Sequence, residues 1–130
     1  EIEIKVPTFD GRSIMVNKNY FLSSRSIRDM ELVPVKEKDG KIDKGYYNLR
    51  MKLNRHGALV CMQLSIQFAH KPLACLIDGM FYRTVRLEEN VSEDDDTIVL
   101  IGPFDKTLAE RIKKYAPYNY KHYHPDEDED

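Results

Sequence analysis

The chain has 130 residues, 42% hydrophobic and 32% charged, with six Gly and six Pro; this excludes a collagen-like, low-complexity or wholly disordered chain and predicts one soluble globular domain around a single core. Twenty Lys and Arg stand against 22 Asp and Glu, a net charge of -2, too little to hold polyphosphate by bulk charge, so nucleic acid is not the expected partner. No apolar run approaches the roughly 20 residues of a membrane-spanning helix, and two cysteines make neither a disulfide framework nor a zinc motif.

Along the chain the hydrophobic period alternates between two and about 3.6 residues, which separates strands from helices. Ile2, Ile4 and Val6 alternate with Glu1, Glu3 and Lys5 as a half-buried strand does, and Pro7 ends it. Asp10-Gly11 supplies turn chemistry before residues 13–16, predicting a hairpin. Residues 23–30 (SSRSIRDM) set hydroxyl caps ahead of a short helical turn, and residues 31–36 return to extended character. Asp39-Gly40 and then Gly45 punctuate the chain. Tyr47, Leu49, Met51 and Leu53 recur at every second position, which puts all four on the buried side of one strand.

Asn54 is the predicted N-cap of the longest helix, residues 55–69, with Cys61, Leu64, Ser65 and Phe68 on one face. The apolar run 73–77 and the strand 80–87 flank Asp78-Gly79, a strong hairpin signal. Residues 97–101 form another strand, Gly102-Pro103 breaks the chain, and Asp105 caps a helix bearing Leu108, Ala109, Ile112 and Ala116 that stops at Pro117. The order predicts an α+β fold: an antiparallel sheet with two main helices packed on one face. Residues 1–124 form the domain. Residues 125–130 form an acidic, disordered tail, since removing the five acids at 126–130 leaves 17 against 20 bases, a net charge of +3. A second acidic cluster around Asn90-Val91-Ser92 reads as an exposed loop. The start at Glu1 without Met predicts a processed chain.

Chemical motifs are sparse. GxSxG, HExxH and CxxC are all absent. His122 and His124, alternate residues on an expected extended segment with Asp126 nearby, are the candidate ligands for zinc or copper. His56 and His70 read as helix-boundary residues, Asp78 as part of its turn, and Cys61 and Cys75 as buried thiols. Tyr115, Tyr118, Tyr120 and Tyr123, interleaved with Lys113, Lys114 and Lys121, suit packing against the sheet or a protein contact. No cofactor is implied.

The stretch from Leu53 to Ala109 resembles the head subdomain of the first large periplasmic region of SecD, a subunit of the bacterial protein-export apparatus. The likeness rests on Leu53, Asn54, Gly57, Lys71, Leu73, Ala74 and Asp78-Gly79, then residues 97–101, Gly102, Phe104, Asp105 and Ala109, with Ile27 matching upstream. Three departures stand out: no membrane spans, no companion base subdomain, and Cys61 where the family more often has an aromatic residue. The resemblance implies a stand-alone, non-enzymatic domain of periplasmic or cell-surface location, tethered through a removed N-terminal segment or as a lipoprotein, that contacts exported polypeptide. The expected contact residues are Phe81, Tyr82 and Arg83 after the hairpin, with Tyr118 and Tyr120. The alternative is a metal or small-ligand binding domain built on His122 and His124.

Overall fold

The computed structural model describes residues 3–17, 22–68, 71–77, 80–88 and 96–127. Strands β1 (Glu3–Pro7) and β2 (Ser13–Asn17) pair antiparallel, with Val6 opposite Ile14. Gly11 turns the chain at φ 87°, a left-handed conformation that suits glycine. Thr8 donates its hydroxyl to the Asp10 carboxylate, and the Arg12 amide donates to both side chains. These bonds hold the Asp10 carboxyl below its ordinary range, the Thr8 hydroxyl contributing most.

The predicted turn over residues 23–30 is shorter in fact. A 3₁₀ turn covers only Ser24–Ser26, with the Ser23 hydroxyl accepting from the Arg25 amide. Strand β3 (Ile27–Lys36) begins at once, because Ile27 already pairs with Leu53 of β4 (Ile42–Leu53). Gly45, expected to break the chain, lies inside β4 at a bulge: Pro34 faces Tyr47 while Val35 faces Asp43, leaving residues 44–46 without partners in β3. The Asp43 carboxylate accepts the Gly45 amide there at 2.8 Å.

Helix α1 (Arg55–Gln67) starts as predicted: Asn54 Oδ1 accepts the Gly57 amide at 2.9 Å. Gly57, Ala58, Val60, Cys61 and Leu64 are its buried residues. Strands β5 (Leu73–Ile77) and β6 (Met80–Leu87) form the predicted hairpin with Ile77 opposite Met80; Asp78 and Gly79 themselves lie outside the described residues. So do His70 and residues 89–95, which include Asn90-Val91-Ser92.

Two predicted stops are overridden by packing. Strand β7 (Thr97–Asp105) continues through Gly102-Pro103, since Phe104 pairs with Tyr47 and is wholly buried. The irregularity is absorbed where Leu49 faces Leu100 and Tyr47 faces Phe104, and Asn48 Oδ1 accepts the Gly102 amide at 3.2 Å. Helix α2 (Lys106–Tyr123), capped by Asp105, likewise runs through Pro117. Proline there removes one helical bond, but Ala116 and Tyr120 on either side are both buried and hold the backbone helical.

The fold is α+β, with β1 and β2 forming a two-stranded sheet and the rest a five-stranded antiparallel sheet of order β3-β4-β7-β6-β5. Pairing lines up Met30, Met51 and Ile98 in one row across β3, β4 and β7, and Leu32, Leu49, Leu100 and Leu87 in the next. Both helices pack on that face, through Cys61 of α1 and Ala109 and Ala116 of α2.

Candidate functional site

A five-stranded open sheet has two outer strands, and this sequence treats them differently. β3 lies against α2 and the 3₁₀ turn, and it carries Pro34, which has no N–H to offer. β5 reads LACLI, without a charge; Ala74 is exposed and its four neighbours are half-buried. Among the described residues, β5 exchanges backbone hydrogen bonds with β6 alone, so its outer main-chain groups meet no other strand.

Phe81, Tyr82 and Arg83, the expected contact residues, lie one strand inboard of that edge. The reason is topological: the hairpin places β5 outside while β6 joins β7 at Arg86 and Leu87. Phe81 faces Leu76 on one side and bridges Thr8 on the other. Tyr82 is the extra residue of a bulge, since Cys75 faces Arg83 and Leu76 faces Phe81. Its ring stacks on Phe104 at 6.0 Å and stands T-shaped to Phe9 at 6.3 Å. Burial raises the Tyr82 phenol pKa, and the Asp105 charge adds to the rise. Arg83 is committed too: its guanidinium donates to the carbonyls of Pro103 and Thr84.

The two helical tyrosines part company. Tyr118 is 78% exposed, whereas Tyr120 is buried and faces inward, which removes it from any contact surface. Its hydroxyl donates to the Glu127 carboxylate at 2.7 Å. Burial, with that hydrogen bond second, raises its pKa.

The expected extended His-Tyr-His segment is corrected as well. Because α2 runs to Tyr123, residues 122 and 124 sit about 200° apart around the helix axis rather than on one side. His122 is exposed with its ring against Tyr123, and His124 caps the helix with its ring stacked on Tyr120 at 4.3 Å. Among the described residues, no three His, Cys, Asp or Glu side chains gather as a metal site. His56 stands in the first turn of α1, as read from sequence, and is exposed.

Cys61 is fully buried and Cys75 half-buried, both as free thiols. Burial pushes Cys61 up to about 12 and Cys75 up to about 11, the latter against the opposing pull of the Arg83 charge.

Sequence reasoning missed two features. The first is β5 as the outer strand, for which Pro72 immediately before an uncharged run was an available signal. The second is Glu127, assigned to the solvated tail but paired with Arg28 at 2.5 Å. That contact spans 99 positions, and no local pattern announces it. Among the described residues no helix is long and apolar enough to cross a membrane. No family model, curated protein or solved structure matches this chain.

Proposed function

We propose that this chain is a non-enzymatic, extracytoplasmic contact domain for extended polypeptide, the role that its resemblance to the SecD head implies. One observation supports the reading above others: an uncharged edge strand, β5, whose outer main chain has no partner among the described residues. An extended guest adds to such an edge by pairing its own N–H and C=O groups with those facing outward, while its alternate side chains meet apolar surface. Leu76 and Ile77 give β5 half-buried apolar surface outside the core cluster, and Ala74 presents no bulk against an approaching chain.

The test is a titration of the purified chain with a permanently unfolded secreted polypeptide, followed by fluorescence anisotropy and by amide hydrogen exchange. Binding that slows exchange in β5 and weakens at least tenfold in Ala74→Lys is the expected result, since a charge on an edge opposes strand addition. No binding, or binding that Ala74→Lys leaves intact, overturns the proposal. The extracytoplasmic part is checked by fractionating cells that make the protein from its own gene; a cytosolic product overturns it.

A further inference from the structure

The two outer strands of the five-stranded sheet are guarded unequally. β3 carries Arg28, Asp29, Glu31 and Pro34, residue types that discourage another copy from pairing at an edge. β5 carries none: Leu73 to Ile77 are uncharged, and Pro72 stands just outside the strand. The bulge beside it belongs to β6, where Tyr82 is the extra residue, so β5 itself stays regular. A strand of this kind is a template for its own copy.

Its sequence fits an antiparallel pairing centred on Cys75. Leu73 then lies opposite Ile77 of a second copy, Ala74 opposite Leu76, and Cys75 opposite Cys75, so all five positions set apolar against apolar. Neighbouring registers are worse. A shift by one residue sets Pro72, which has no N–H, against Ile77, and the reverse shift sets the Asp78 charge against Leu73. Leu73 and Cys75 touch the core cluster, so the alternation of the strand turns Ala74 and Leu76 to the opposite face. There the small, exposed Ala74 leaves room for the Leu76 side chain of the second copy. About four to six main-chain hydrogen bonds close such a seam, and its twofold axis stands normal to a sheet continued from one copy into the next.

We propose that β5 pairs with β5 of a second copy, making a weak, reversible dimer in which each copy caps the edge that the other would offer to a guest. Two five-residue edges bury less than the roughly 1,200 Å² of a standard stable interface, which keeps the dimer weak. Guest and second copy then compete, and the edges are covered while no guest is present. Self-pairing rests on the same accessible edge as the proposed function.

Sedimentation equilibrium of the full chain up to near-millimolar concentration tests this, together with copper(II)-phenanthroline oxidation and mass spectrometry. A monomer–dimer equilibrium is expected, weakened at least tenfold in Ala74→Lys, because symmetry places two charges in the seam. Opposed residues of antiparallel strands have Cα atoms about 4.5–5.5 Å apart, within disulfide reach. The oxidised dimer should therefore be joined through Cys75 and be lost in Cys75→Ala. A permanently unfolded polypeptide should reduce the cross-linked fraction. Should Ala74→Lys fail to fold, the cross-link decides alone. A chain that stays monomeric, a dimer indifferent to Ala74→Lys, absence of the Cys75 cross-link, or cross-linking unmoved by a bound guest overturns self-pairing. Guest binding without self-association does so too while leaving the proposed function standing; self-association at β5 without guest binding has the opposite consequence.

Discussion

Replacing Gly57 with Ala probes the tightest approach between α1 and the 3₁₀ turn. A Cβ at this position would stand 2.9 Å from both Cβ and the carbonyl oxygen of Ser26, and 3.2 Å from Leu53 Cβ. Two effects compete. In an open helix the change would stabilise by about 0.8–1.0 kcal/mol, because Ala has the better helix propensity. Overpacking a filled interior costs about 1–3 kcal/mol, and here the yielding atoms include backbone. The Ser26 carbonyl accepts the Asn54 amide at 3.0 Å, so displacing it also loosens that bond, worth about 1 kcal/mol. The clash outweighs the propensity, for a net loss of about 1–2 kcal/mol. Urea unfolding followed by circular dichroism measures it, with Gln63→Ala on the exposed face of the same helix as the propensity control. A lower midpoint at unchanged slope is expected. A Gly57→Ala chain as stable as the original would refute the close-contact account of this glycine.

Other consequences follow from single contacts. Asn54→Ala removes the cap of α1 and should lower stability by about 1 kcal/mol, with Asn54→Asp recovering most of it, both read from urea midpoints. Asn48→Ala strips the Gly102 amide of its acceptor and should cost about 1 kcal/mol in the same assay. Cys61 and Cys75, raised to about 12 and about 11, keep their protons in the folded state at pH values where the unfolded chain releases them. Their contribution is therefore complete below about pH 8.5 and fades as pH climbs toward the folded values. Urea midpoints should fall steadily between pH 9 and 10.5, and a flat profile would contradict the burial of these thiols.

Local chemistry was the legible part of this fold. The Asn54 to Gly57 spacing specifies a cap because an Asn oxygen reaches an amide three residues on, and Gly at that amide also lets the turn at Ser26 come close. The alternation of Leu49, Met51 and Leu53 survives intact, as all three are at most 2% exposed. The stops at Gly45, Gly102-Pro103 and Pro117 failed for one shared reason. Each sits in an element whose flanking residues are fastened elsewhere: Tyr47 to Phe104, and Ala116 and Tyr120 in the interior. Tertiary contact supplied what local propensity withheld. For the candidate site, the hairpin was readable, but which of its strands lies outside depends on β6 joining β7, a pairing between distant segments.

The role proposed for β5 carries its own limit on how tightly a guest can be held. Five residues span about 17 Å, and alternate residues turn their main-chain groups outward, so about five hydrogen bonds are on offer. At about 1 kcal/mol net each they yield roughly 5 kcal/mol, little more than the minimum association cost of about 4 kcal/mol. Main-chain pairing alone therefore gives capture weaker than millimolar. Side chains must decide the affinity, each seated apolar group adding about 1.5–3 kcal/mol. Two of them against Leu76 and Ile77 bring the complex to about millimolar or tighter while leaving release fast. Peptides of equal length with Leu or with Ser at alternate positions should differ in affinity by well over tenfold, measured by fluorescence anisotropy. Equal affinities would mean that the guest is held somewhere other than this apolar edge.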